Sequence, residues 1–287
     1  MVLQVNRLTR ALAVGALVLS MAVAASAQEA VRQLRQDQKA IDLVSYSPKA
    51  STCRGVAIIS PGAGGSEKGY QYLGEGLASL GYLAIVVGHQ ESGSAALRER
   101  VPGKGLRQGL SELIADPEAY RGRFMDIAAA RKFAASRCNA LESVLIGHSM
   151  GAATAMMAAG ARNMLGLKGT EGFDAYVALS PQGRGVIFPQ NAWADIHRPV
   201  LSLTGTRDDE LGGASWHVRT EPFENMPAGC KWLGVIDGAT HMNFAGLGMS
   251  RQTEALTKQV IGSFLDGVYR RDCTAPPKTH GIDLQSK

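Results

Sequence analysis

What the chain lacks narrows its possible roles before any motif is considered. It has no run of about 18 or more strictly apolar residues, the length at which a membrane-spanning helix becomes the default reading. Only 19% of its residues are charged while 45% are hydrophobic, a balance that excludes a disordered, charge-driven chain. Four cysteines in 287 residues are too few for a small scaffold held together by disulfides. No internal repeat is visible, nor a linker rich in Pro, Gly and Ser between two halves. The six histidines show no metal-ligand spacing, so no metal is expected. Basic residues cluster only at Arg98, Arg100, Lys104 and Arg107. No aromatics are interleaved there to stack bases, and nucleic acid is not an expected partner.

What is present begins with a leader. Arg7 and Arg10 form a positive segment, Ala11–Ala24 an apolar one, and Ala25-Ser26-Ala27 a small-residue cleavage site. The apolar segment is short of the ~20 residues a membrane span needs, so a cut after Ala27 is expected rather than an anchor. The cut site carries no cysteine for lipidation, and no arginine pair precedes the apolar segment. The mature chain is therefore expected to be secreted or periplasmic, without a stable membrane anchor, and to form one domain over residues 28–287. Removing the leader takes the formal charge from +5 to +3. In such an oxidising compartment the four cysteines are expected to pair, and three connectivities are possible.

Six short runs are apolar nearly throughout, as strands covered on both faces should be: Gly55–Ser60, Tyr82–Gly88, Ser143–Ser149, Ala175–Ser180, Pro199–Gly205 and Lys231–Asp237. Between them, Lys68–Leu80, Ala119–Ser136, Met150–Leu165 and Arg251–Tyr269 carry apolar residues at helical spacing. The alternation predicts an α/β fold with a mostly parallel central sheet flanked by helices on both faces. Two stretches stand outside it. Residues 28–54 read as a short helix or tail followed by one strand, Ala40–Ser47. Residues 89–118 are a long, charged, glycine-containing insertion, expected to border a functional cleft because loops of this length are seldom idle.

Gly147-His148-Ser149-Met150-Gly151 follows one of the apolar strands and opens a small-residue helix. The pentapeptide alone is a weak signal, and the strand-turn-helix context gives it weight. A sharp turn there holds the serine hydroxyl exposed, with glycines where neighbouring backbone leaves no room for a side chain. The helix N-terminus offers backbone N–H groups and partial positive charge where an oxyanion would form.

With this elbow the chain resembles the α/β-hydrolase superfamily over nearly all of its mature length. The resemblance implies the order nucleophile, acid, histidine. Ser149 is then the nucleophile, and the acid lies just beyond Pro199–Gly205, at Asp208 with Asp209 as the alternative. The histidine is His241, in Gly238-Ala239-Thr240-His241, since neither His197 nor His217 follows a strand in the right order. The resemblance also implies an oxyanion hole made by the N–H groups of Met150 and of Ala63, in the glycine loop Ser60–Ser66. Dehalogenases and epoxide hydrolases of this fold carry aspartate at the elbow, and dienelactone hydrolases proper carry cysteine; this chain has serine. It is similar to secreted esterases, to the dienelactone-hydrolase-like group with a serine nucleophile, and to bacterial cutinases and polyester hydrolases. Where the last two commonly have an aromatic after Pro-Gly, this chain has Ala63.

The implied activity is hydrolysis of a carboxylic ester, small-molecule or polymeric, through an acyl-enzyme and with no cofactor. Met150, Trp193, Met242 and Phe244 are candidates to line the substrate pocket. Another acyl hydrolase, a peptidase or a lipase-like enzyme, is the nearer rival, although Gln182–Arg198 is too short for the large cap of a capped lipase or oligopeptidase. A non-catalytic binding protein of the same fold is the rival from another class, although such proteins usually lose the serine or histidine. In the superfamily's sheet the strands after Cys53 and Cys138 are neighbours, and the C-terminal helix before Cys273 runs back to the edge where Cys230 precedes the last strand. The resemblance thus implies the disulfides Cys53–Cys138 and Cys230–Cys273, away from the active-site edge.

Overall fold

The computed structural model of the protein describes residues 28–140, 142–169, 172–248, 250–276 and 279–287; the expected leader lies outside them. The six apolar runs form the parallel centre of one sheet. They are β3 (Gly55–Ser60), β4 (Tyr82–Val87), β5 (Glu142–His148), β6 (Ala175–Leu179), β7 (Val200–Arg207) and β8 (Lys231–Thr240). Antiparallel strands flank them: β1 (Gln28–Leu34) and β2 (Ala40–Tyr46) beside β4, and β9 (Ile282–Ser286) beside β8. Among the described residues the order is β1-β2-β4-β3-β5-β6-β7-β8-β9.

Alternate residues of each central strand feed two cores. Val56, Ile58, Leu83, Ile85 and Leu145 point to one face, where α4 (Pro117–Ala135) and α5 (Met150–Ala158) pack. Ala57, Ile59, Ala84, Val86, Val144 and Ile146 point to the other, against α1 (Gln71–Ser79) and α7 (Arg251–Arg270). Burial on both faces explains why these strands read as continuous apolar runs rather than alternating ones. At the start of α4, Asp116 accepts from the Glu118 N–H at 2.9 Å and Pro117 occupies the first turn, as a helix start favours.

Four features differ from the sequence expectation. Residues 28–34 are an edge strand paired with β2 over seven residues, not a helix or tail. Exposed along most of its length, β1 carries no apolar alternation by which to recognise it. The insertion 89–118 folds into two short helices, α2 (Ser94–Arg100) and α3 (Leu106–Ile114), and α5 ends at Ala158 rather than Leu165. Strand β9 was not expected at all; it joins β8 from Trp232↔Ser286 to Ile236↔Ile282.

Both expected disulfides are present, with Cα–Cα separations of 5.7 Å for Cys53–Cys138 and 5.0 Å for Cys230–Cys273. They lie where strands β3, β5 and β8 begin, the edge away from the elbow. They close segments of 85 and 43 residues, long enough for each to remove substantial entropy from the unfolded chain. The double replacement Cys53→Ala with Cys138→Ala should lower unfolding stability by about 2–4 kcal/mol. An unchanged urea midpoint in the variant would contradict this.

Candidate active site

In a parallel sheet the C-terminal strand ends collect the loops that do chemistry, and the sequence candidates gather there. Ser149 sits between β5 and α5 at φ 55°, ψ −118°, a conformation that costs an L-residue about 1–3 kcal/mol. Neighbouring backbone enforces it. A Cβ on Gly147 would lie 1.9 Å from Gly151 O, and one on Gly151 would lie 2.0 Å from Ser60 O. Ser149 N–H donates to Leu179 O at 3.0 Å, tying the elbow to β6, and its side chain is partly exposed. Met150, as the first residue of α5, has an N–H with no partner inside the helix.

Asp208 follows β7 and His241 follows β8. His241 Nδ1–H donates to Asp208 Oδ1 at 2.9 Å. The Asp208 carboxylate is fully buried and also meets Thr204 Oγ1 and Arg219 Nε, each at 2.9 Å. Arg219, itself buried, further donates to the carbonyls of Ser180 and Pro181 at 3.2 Å. Asp209 is exposed and instead accepts from Trp216 N–H at 3.0 Å, capping the turn Trp216–Thr220. The geometry thus brings Asp208, not Asp209, to the histidine. His217 stacks on Trp216 with ring centroids 3.8 Å apart, outside this cluster. His241 opens the turn His241–Ala245, held by a reciprocal bond pair between Thr240 and Asn243.

The histidine, the elbow and the glycine loop are linked by a buried chain that the motif reading left without a role. Gly62 N–H donates to Tyr70 OH at 3.1 Å, and that hydroxyl donates to His148 Nδ1 at 2.8 Å. His148 Nε2–H donates in turn to the backbone oxygen of His241 at 3.0 Å. His148 must be neutral to accept at Nδ1. Burial, then the charges of His241 and Arg219, hold its pKa well below the usual histidine value. The His148 and His241 rings lie 4.7 Å apart, which sets His241 beside the residue that precedes Ser149.

The loop Ser60–Ser66 lies against the elbow: a Cβ on Gly62 would come 3.3 Å from Ser149 Cβ. Its donors are mostly committed. Gly62 N–H goes to Tyr70, Gly64 N–H to Ser92 O at 2.8 Å, and Gly65 N–H to Gly62 O at 3.1 Å. Between Pro61 and Gly65, the Ala63 N–H is the donor without a partner among the described residues. The 89–118 insertion does border this loop, through Ser92 and through Leu97, whose Cδ2 would meet a Cβ on Gly64 at 2.7 Å.

Of the four expected pocket residues, Met242 is exposed at 49%. Trp193 and Phe244 are fully buried, Trp193 against Phe188 with centroids 5.4 Å apart, so neither lines an open pocket. Met150 is likewise buried, contributing backbone rather than side chain. A cavity of about 660 Å³ between Trp216, Asp237 and His280 includes none of Ser149, Asp208 or His241.

Behind the glycine loop lies a second Ser-His-Asp arrangement. Ser60 Oγ–H donates to His89 Nε2 at 2.8 Å, and His89 Nδ1–H donates to Asp126 Oδ2 at 2.8 Å. All three are buried, which leaves no approach for a substrate. Burial, then the charge of Arg123, takes the His89 pKa down to about 4 from its ordinary 6.5. Between those values the unfolded chain binds a proton that the folded one refuses, so stability falls as pH drops through that window. His89 alone accounts for about 3 kcal/mol of loss by pH 4, and His148 acts in the same direction. Urea midpoints at pH 7 and 4.5 should differ accordingly, and equal midpoints would refute the burial argument.

No family model matches the chain. In sequence it is 25% identical over 199 residues to the cutinase est2 of Thermobifida alba, covering 68% of this chain. The match spans 55% of that cutinase, about half its length. In structure it is similar to the Pyrococcus furiosus esterase Pf2001, with a TM-score of 0.55 and 16% identity over 84% of this chain and 92% of that one. It is also similar to a putative dienelactone hydrolase from Klebsiella pneumoniae, with a TM-score of 0.59 and 17% identity over 84% and 99% of the two chains. The chain has the α/β-hydrolase fold. Within that fold its likenesses are to esterase-like proteins.

Proposed function

We propose that the protein is an exported serine hydrolase that cleaves carboxylic esters through an acyl-enzyme on Ser149. The observation that carries the proposal is the convergence at one sheet edge of a strained Ser149 and a hydrogen-bonded His241–Asp208 pair. Asp208 keeps the proton of His241 on Nδ1, so the Nε2 lone pair faces the reaction. That nitrogen takes the Ser149 proton as Oγ attacks the ester carbonyl, and returns it to the departing alkoxide. On this reading Ser149 Oγ bonds His241 Nε2 once substrate is bound, as catalytic hydrogen bonds often tighten only in the complex. The tetrahedral oxyanion accepts from the N–H groups of Ala63 and Met150, each such donor being worth about 3 kcal/mol in the transition state. Water then repeats the sequence on the acyl-enzyme.

Export through the leader at residues 1–27 is supported by the two disulfides, which persist in oxidising compartments. Among the described residues no helix is long and apolar enough to cross a membrane. A polyester or cutin-type substrate is a second reading, supported by the likeness to the Thermobifida cutinase. The test is labelling by a fluorophosphonate probe, with p-nitrophenyl esters of graded chain length. Labelling at Ser149 with turnover is expected; a folded protein that neither labels nor hydrolyses any of them would sink the proposal.

A further inference from the structure

Arg123, on α4, is completely buried, and no carboxylate is hydrogen-bonded to it. Burying a guanidinium without a carboxylate partner is costly, so its contacts need a reason. Nη1 donates to Pro61 O at 2.7 Å and to Ser60 Oγ at 3.1 Å, and Nη2 donates to Gly62 O at 3.3 Å. Nε has no partner. The nearby acid on the same helix, Asp126, is committed elsewhere, to Arg35 Nη1 at 3.0 Å and to His89 Nδ1 at 2.8 Å. The positive charge is therefore turned toward the carbonyls of the glycine loop.

The contact with Gly62 O matters because that oxygen and the Ala63 N–H belong to one peptide group. In a trans peptide C=O and N–H point in opposite directions. Gly62 O is held by Arg123 Nη2 at 3.3 Å together with Gly65 N–H at 3.1 Å, so the Ala63 N–H of the same peptide points away from both donors. A cation on the oxygen also draws electron density from the nitrogen and strengthens it as a donor, while adding positive potential where negative charge develops. The Ser60–His89–Asp126 chain supports the guanidinium. With His89 protonated on Nδ1, its Nε2 accepts a hydrogen bond from the Ser60 hydroxyl, which leaves the Ser60 Oγ lone pairs free to accept from Arg123.

We propose that Arg123 is a positioning residue for the oxyanion site, orienting and polarising the Gly62–Ala63 peptide, with Ser60, His89 and Asp126 as its support. The inference rests on the esterase reading. It explains what a buried arginine does there beyond bracing a loop: it acts on the transition state and leaves ground-state binding alone.

The experiment compares wild type with Arg123→Met, Arg123→Lys and Ser60→Ala, using a p-nitrophenyl ester and a trifluoromethyl ketone that forms a tetrahedral adduct on serine. Active sites are counted with the fluorophosphonate, so that misfolded protein does not enter the rate. Arg123→Met should lower kcat about 10²-fold with KM within about 3-fold, and weaken the ketone by a similar factor. Arg123→Lys should recover about a tenfold part of the loss by restoring charge without the fork. Ser60→Ala should show a smaller fall of the same kind. If Arg123→Met does not fold, the other two decide by the same comparison of kcat, KM and ketone affinity. Wild-type kcat and ketone affinity per active site in the folded variants would overturn the inference and leave the esterase reading intact. A wild-type protein that neither labels nor turns over would overturn the esterase reading, and this inference with it.

Discussion

Ser149→Ala is expected to cut ester hydrolysis by roughly 10⁴- to 10⁶-fold in kcat while leaving the protein folded. The fold should survive because the side chain makes no hydrogen bond among the described residues, so its removal strands no partner. The structural bond at this position comes from the main chain, Ser149 N–H to Leu179 O, and is kept. Alanine also pays the same backbone strain at φ 55°, which limits the stability change to about 1 kcal/mol. Some rate above that in water should remain, because Ala63, Met150 and the His241–Asp208 pair are untouched. Fluorophosphonate labelling should vanish together with turnover. Continued turnover in the variant would place the nucleophile elsewhere.

The centre of the fold and the placement of the candidate site residues were legible because they share one physical signature. A parallel strand buried on both faces reads as an apolar run, and the candidate residues are sought where such runs end. Ser149, Asp208 and His241 each follow such a run, at β5, β7 and β8. The edges were not legible. Strand β1 is mostly exposed and β9 has a single buried residue, so neither carries the periodicity that marks a strand. The aromatics near the motifs misled for a different reason. Trp193 and Phe244 have the chemistry of a pocket and of a core alike, and their position along the chain does not say which way a ring turns. The site's supporting groups were invisible for a third reason. Arg123 lies 60 residues or so from its partners in the glycine loop, and Arg219 sits in the irregular segment after β7. A charged residue in a helix or a turn reads as a solvated face until tertiary structure closes over it. His148 stood inside the motif itself, yet its contacts with Tyr70 and His241 join segments 78 and 93 residues apart.

The two aspartates after β7 offer the sharpest contrast the structure makes. Asp208→Asn is expected to lower kcat about 10⁴-fold, and Asp209→Asn to leave it within a few-fold of wild type. An asparagine at 208 can turn its amide N–H₂ toward His241 Nδ1, which then accepts instead of donating. The ring proton moves to Nε2, where the Ser149 proton has to arrive, and the histidine is left in the wrong tautomer. The same change removes the negative charge facing Arg219, whose Nε lies 2.9 Å from Asp208 Oδ1. A buried cation deprived of its partner costs about 3–5 kcal/mol, so Asp208→Asn should also melt earlier than wild type. Arg219 still reaches the carbonyls of Ser180 and Pro181, which supports folding of the variant at moderate temperature. At 209 the asparagine oxygen can go on accepting from Trp216 N–H, so neither tautomer nor ion pair is disturbed. Rates per fluorophosphonate-titrated site, with urea midpoints for both variants, separate the two effects. Equal activity in the two variants would mean that the 2.9 Å contact between His241 and Asp208 carries no catalytic weight.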